Sequence, residues 1–194
     1  MDTMSIVRTP KTRHGDLIIR EGPFTIADRD ALPDDGYRHE LLDGVLVMTP
    51  PPNIRHQDIA LNLGVLLKQH APAHCKVMLA PIDVRLGVRT SIEPDVVVAR
   101  RADMTPTMLP AAPLLAVEVA SPSTRMIDLG RKRELLAEAG CPSYWTIEPD
   151  GPELSVWTLR DGEYIVDARI SGSETWTATH PFAVSITPVD LLDD

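Results

Sequence analysis

Cysteine is scarce in this chain of 194 residues, and the two present, Cys75 and Cys141, lack the C-x-x-C spacing of a zinc or redox site. A disulfide framework is therefore not expected to stabilise it. Long apolar runs are missing too: none approaches the roughly 18 residues of a membrane span, so no membrane association is expected. The opening MDTMSIVRTPKTRHGD has no apolar stretch of the secretory kind, and a reducing cytoplasm is the expected location. Positive charge is the third shortage. Nineteen Lys and Arg face 28 Asp and Glu, for a net charge of −9 and a pI near 5.1. This argues against a chain that coats nucleic acid through many phosphate contacts. It does not argue against an enzyme that handles phosphodiesters through a metal, whose charge offsets the carboxylates.

What is present is a 43% hydrophobic chain without repeats or low-complexity tracts, long enough for one core. Residues 1–23 read as a loosely structured arm and 24–194 as a single domain. FTIADRDALPDD allows a helical turn or two. YRHELLDGVLVMTP carries Asp43-Gly44 between alternating apolar residues, a two-residue hairpin signal. Asn53 is placed to cap a helix to about His70, with Ile59, Leu63, Leu66 and Leu67 as its buried stripe. KVMLA, IDVRL, SIEPDVVVA and LLAVEVA read as strands, and a helix from about Ile127 to Ala139 stops at Gly140 and Pro142. SYWTIE, ELSVWTL and EYIVDARI are strands again. The pattern predicts an α/β fold: a central mixed sheet flanked by helices, with extra hairpins at both ends.

Two of these strands contain a carboxylate where a buried strand should have none: Asp95 in EPDVVV and Glu118 in LLAVEVASPSTR. A lone buried carboxylate costs several kcal/mol unless paired, ligated or protonated. Two in neighbouring strands point to a shared partner, and a metal cation is the simplest. Period two puts Glu93, Asp95 and Val97 on one strand face and Ala116, Glu118 and Ala120 on one face of the other. A hard ion such as magnesium takes one or two carboxylates plus water and phosphate oxygens, and the main-chain carbonyl of Val119 can add a third protein ligand.

Lys132 falls on the apolar, sheet-facing stripe of its helix, between Leu129 and Leu135–Leu136. A lysine there needs an anion, unless its side chain reaches past the helix edge to water. His56 lies on the inner side of its helix, where a backbone hydrogen bond is the plainest use for it. The basic groups Arg85, Arg89, Arg100, Arg101 and Arg125, Arg131, Lys132, Arg133 are read either as solvated faces or as phosphate contacts.

YRHELLDGVLVMTPPP, RHQ at 55–57, Pro94-Asp95, VEVASPST at 117–124, DLGRKRELLAEAG at 128–140 and PSYWTIEPD at 142–150, in this order and spacing, resemble the Uma2 family of restriction-endonuclease-like proteins. That family is a branch of the PD-(D/E)XK nucleases. The resemblance covers roughly residues 24 to 165 and implies a restriction-endonuclease-like core with Asp95 and Glu118 at the two metal-binding acidic positions. The superfamily's lysine two residues after the glutamate is Ala120 here. The family's relocated helical lysine, four residues after an aspartate, corresponds to Lys132 after Asp128. Glu40 corresponds to an additional acidic residue facing such sites. Leu136 departs from the family, which often has tyrosine there, and so does the long arm.

The resemblance further implies magnesium or manganese as cofactor, a nucleic-acid substrate, DNA foremost, and a homodimer. Asp95, Glu118, Lys132 and Glu40 are the expected catalytic set, Lys132 to position the water or the phosphate, and Asp95, Glu118 and Val119 the metal ligands. His56, Gln57 and Arg125 are the expected substrate contacts. Two other readings stay open: the fold kept as a non-catalytic nucleic-acid-binding or assembly module, and a purely structural salt-bridge network around Lys132.

Overall fold

The computed structural model describes residues 4–7, 18–34, 36–121 and 125–192. Within the stretch read as an arm, Met4–Val7 (β1) and Ile18–Glu21 (β2) pair antiparallel. The short helix Ile26–Asp30 (α1) begins at a reciprocal cap, in which Thr25 and Asp28 each accept the other's main-chain N–H. Arg38–Leu42 (β3) and Val45–Thr49 (β4) form the expected hairpin. Asp43 and Gly44 take φ of 48° and 82°, the positive values a two-residue turn needs to match strand twist.

Asn53 caps Ile54–His70 (α2) by accepting the His56 N–H at 2.9 Å. Ile59, Leu63 and Leu67 on its inner face are fully buried, each stabilising the fold by about 1.5–3 kcal/mol relative to an exposed side chain. Cys75–Leu79 (β5), Asp83–Gly87 (β6), Thr90–Ile92 (β7), Val96–Arg100 (β8), Met108–Leu109 (β9) and Leu115–Val119 (β10) follow. A broken helical segment comes next: Arg125–Ile127 (α3), a π turn at Asp128–Lys132, and Arg133–Glu138 (α4). Ser143–Glu148 (β11), Glu153–Arg160 (β12), Glu163–Ser171 (β13), Trp176–Ala178 (β14) and Val184–Ile186 (β15) complete the strands.

The main sheet has the order β13-β12-β11-β10-β8-β5, with β10 and β11 parallel and the other pairs antiparallel. A second sheet has the order β4-β3-β7-β6-β9. The main sheet is covered on both faces. Val96, Val98, Leu115, Val117 and Val119 pack towards α2, whereas Val97, Ala99 and Ala116 pack with Leu135 and Leu136 of α4 and with Leu42, Val84 and Ile92 of the second sheet. Two-sided burial explains why β8 and β10 read as continuous apolar runs.

One expectation needs correction. SIEPDVVVA is not one strand but two, β7 and β8, in different sheets. Pro94 has no N–H for a central ladder and ends the pairing, so Glu93, Pro94 and Asp95 form the joint between the sheets. β14 and β15, three residues each, were not anticipated.

Candidate active site

The joint at Pro94 shapes the site. The antiparallel register of β10 with β8 runs through Val117↔Val96, and continuing it would set Pro94 opposite Val119. Proline cannot donate there, and the backbone has already turned away. The Val119 N–H, which a continued ladder would direct to the carbonyl at position 94, is accepted instead by Asp95 Oδ2 at 2.8 Å. In a strand, a residue's N–H and C=O face the same neighbour. The Val119 carbonyl therefore points to the same side as Asp95 and gets no ladder hydrogen bond from position 94.

Glu118, next along β10, faces the opposite layer, where the π turn brings Asp128 and Lys132 inward. The Lys132 ammonium, 1% exposed, lies 3.0 Å from Glu40 Oε2, 3.1 Å from Glu118 Oε1 and 3.2 Å from Asp128 Oδ1. Glu40 comes from β3, and its other oxygen accepts the Glu93 N–H at 2.7 Å. Tyr144 of β11 donates its hydroxyl to the Asp128 main-chain carbonyl at 3.0 Å, fixing the turn. Burial alone would lower the lysine's pKa, but Glu118, Glu40 and Asp128 outweigh it and hold it raised. Three carboxylates around one ammonium leave excess negative charge. Burial, opposed by Lys132 and reinforced by Asp128, Asp95 and Glu40, pushes the Glu118 carboxyl well above the usual range.

Asp95 is stabilised from the other side. Burial works against its charge, but His56 Nε2 at 3.1 Å from Oδ2, the Val119 N–H and the Arg38 guanidinium at 3.5 Å from Oδ1 hold its pKa below the ordinary value. Asp95, Glu118 and Val119 share the wall of a cavity of about 290 Å³ with Arg38, Arg55 and His56. Glu40 and Lys132 touch Glu118's side of the cluster but do not line that cavity. Gln57 is exposed and borders a wider neighbouring chamber. Arg125 is exposed and paired with Glu148 at 2.5 Å, away from the lining.

Four contributors escaped the sequence reading as site residues: Arg38, Arg55, Asp128 and Tyr144. For Arg38 a signal existed, since it shares a strand face with Glu40. Asp128 stands one π turn before Lys132, whereas nothing in the sequence pointed to Tyr144.

Among the described residues, no set of three or more His, Cys, Asp or Glu side chains is spaced to hold an ion. A metal here would rest on the Asp95 and Glu118 carboxylates, the Val119 carbonyl and water, a donor set that suits magnesium. The excess negative charge around Glu118 and the carbonyl left without a ladder partner both fit a cation.

The profile of the family described as "Uma2: Putative restriction endonuclease" matches residues 26–190. The chain belongs to the Uma2 family. The fold is also that of a crystal structure from Anabaena variabilis ATCC 29413, described as a putative nuclease belonging to DUF820. The TM-score is 0.73 at 19% sequence identity, over 87% of this chain and 97% of that one. At that identity the likeness is one of fold. No curated protein matches the chain significantly. This Uma2 chain thus presents a restriction-endonuclease-like fold with its buried acids gathered at the joint between its two sheets.

Proposed function

We propose that this Uma2 protein is a magnesium- or manganese-dependent endonuclease that hydrolyses phosphodiester bonds, with DNA as substrate. The observation that carries the reading is the shared cavity wall of Asp95, Glu118 and Val119, with Lys132 bonded to Glu118 at 3.1 Å. Asp95, Glu118 and the Val119 carbonyl would hold the ion, which when bound lowers the pKa of a coordinated water and stabilises charge on the phosphate. His56 and the Val119 N–H fix one Asp95 oxygen and leave the other turned towards Arg38. Arg38 and Arg55 on the wall supply cationic donors for phosphate oxygens in an otherwise acidic protein. Lys132 acts through Glu118, orienting it and opposing the loss of its charge, and Glu40 anchors Lys132 in turn.

The family's description as restriction endonucleases favours DNA. Cutting both strands of a duplex calls for two such sites, so a homodimer is the assembly we propose, in the cytoplasm. Among the described residues no helix is long and apolar enough to cross a membrane. The test is cleavage of supercoiled plasmid, single-stranded DNA and RNA with magnesium, manganese or EDTA. Asp95→Asn and Glu118→Gln should each lower the rate at least about a hundredfold. Activity that survives both substitutions, or EDTA, removes the proposal.

A further inference from the structure

A wider chamber, of about 600 Å³, adjoins the candidate active site and shares Arg38, His56, Asp95 and the Pro50–Pro52 run with it. This volume suits a small planar group and its sugar, and a chamber sharing a wall with the proposed phosphate site is within reach of the adjacent nucleotide. Tyr37 and Pro33 supply the aromatic and flat apolar surfaces on which bases stack. Deeper in, Glu93 lines the chamber. Its Oε2 is buried and accepts no hydrogen bond, with Arg38 Nε 4.0 Å away. The side chain as a whole is 16% exposed, so the carboxylate still presents surface to the chamber on which a ligand N–H can be accepted.

We propose that this chamber receives the nucleobase next to the scissile phosphate, unstacked from its strand, and that Glu93 reads its exocyclic amino group. The proposal rests on the endonuclease reading above. A carboxylate accepts from the amino group of cytosine, whereas thymine turns carbonyl oxygens to either side of its single ring N–H. The chamber therefore favours an amino-bearing base over thymine.

The experiment is binding of short single-stranded oligo-dC and oligo-dT, followed by fluorescence anisotropy in EDTA, where no ion-dependent cleavage runs. The parent should bind oligo-dC about tenfold more tightly, the scale of one good base contact. Glu93→Gln, whose amide can also donate to a thymine carbonyl, should erase most of that preference. Tyr37→Ala, a change at a half-exposed residue, should weaken both complexes about tenfold and keep the preference. Equal binding of the two oligonucleotides by the parent overturns the base reading, as does a preference that Glu93→Gln leaves intact. Parental affinity in Tyr37→Ala overturns the chamber as the seat of the base. The same oligonucleotides with magnesium or manganese separate the two proposals. Preference without cleavage leaves the chamber and removes the endonuclease, and cleavage without preference does the reverse.

Discussion

Replacing Lys132 with methionine keeps the stem and the packing and removes only the charge. The ammonium is 1% exposed and lies within 3.2 Å of Glu40, Glu118 and Asp128. Removing one partner of a buried ion pair costs about 3–5 kcal/mol, because the remaining charge stays buried and uncompensated. For a chain of this length each kcal/mol is worth roughly 2–4 °C, so Lys132→Met should melt about 6–20 °C below the parent in EDTA near neutral pH. The pH dependence follows from the direction of each shift. In the parent, the raised Lys132 pKa contributes stability that is complete below the ordinary lysine value of about 10.4 and is lost as pH rises through the folded value. In the variant, Glu118, whose carboxyl is already raised by burial, loses the Lys132 charge that opposed the rise, so its folded pKa moves further above its unfolded value of about 4.3, and the deficit grows as pH climbs through that range and shrinks as pH falls. Thermal melts between about pH 8 and about pH 5 should therefore converge at the acid end. Adding Glu118→Gln to Lys132→Met should recover part of the loss at neutral pH, as coupled neighbours do. Equal melting temperatures for parent and Lys132→Met near pH 8 would refute the buried four-charge cluster, and with it the positioning of Glu118.

Magnesium or manganese should raise the parent's melting temperature, by about 2.7 kcal/mol of stabilisation at a concentration one hundred times Kd; an Asp95→Asn variant that gains as much would remove Asp95 from the ligand set. Gly44→Ala should cost about 1–2 kcal/mol in backbone strain at φ 82° and more from overlap, since its new Cβ would stand 2.4 Å from Pro23 Cβ. Urea unfolding with an unchanged midpoint would count against the turn. At Asp83 burial raises the carboxyl pKa, but hydrogen bonds from Arg29, Ser91 and Arg85 outweigh it and bring it to about 2. Its contribution, about 1–2 kcal/mol after allowance for partial exposure, is present above the unfolded value of about 3.9 and lost as pH falls through about 2. Asp83→Asn should therefore destabilise at neutral pH and match the parent near pH 2; a gap that persists in acid would point to packing instead.

Elements with a strong local cause were legible in the sequence. The Asp43-Gly44 hairpin and the Asn53-capped helix depend on their own backbone chemistry, and the inward-facing Lys132 on the spacing of its neighbouring leucines. β14 and β15 are too short for any period to register. SIEPDVVVA misled for a different reason: apolar alternation runs straight through Pro94, and only the missing N–H marks the break. That break matters most for the site, because it frees the Val119 N–H for Asp95 and sends the chain from one sheet to the other. Burial of Asp95 and Glu118 was legible because a charge in an apolar run demands a partner, but the identity of the partner is a tertiary fact. The sequence reading gave both acids one metal. In the structure each first has a protein partner of its own: Glu118 has Lys132, and Asp95 has His56 and Arg38. β3 serves both sets, Arg38 reaching Asp95 and Glu40 reaching Lys132, while His56 comes to Asp95 from α2; Asp95 and Glu118 share the wall of the smaller cavity. An ion bound there would share Asp95 with Arg38 and Glu118 with Lys132. It would add positive charge where three carboxylates share one ammonium.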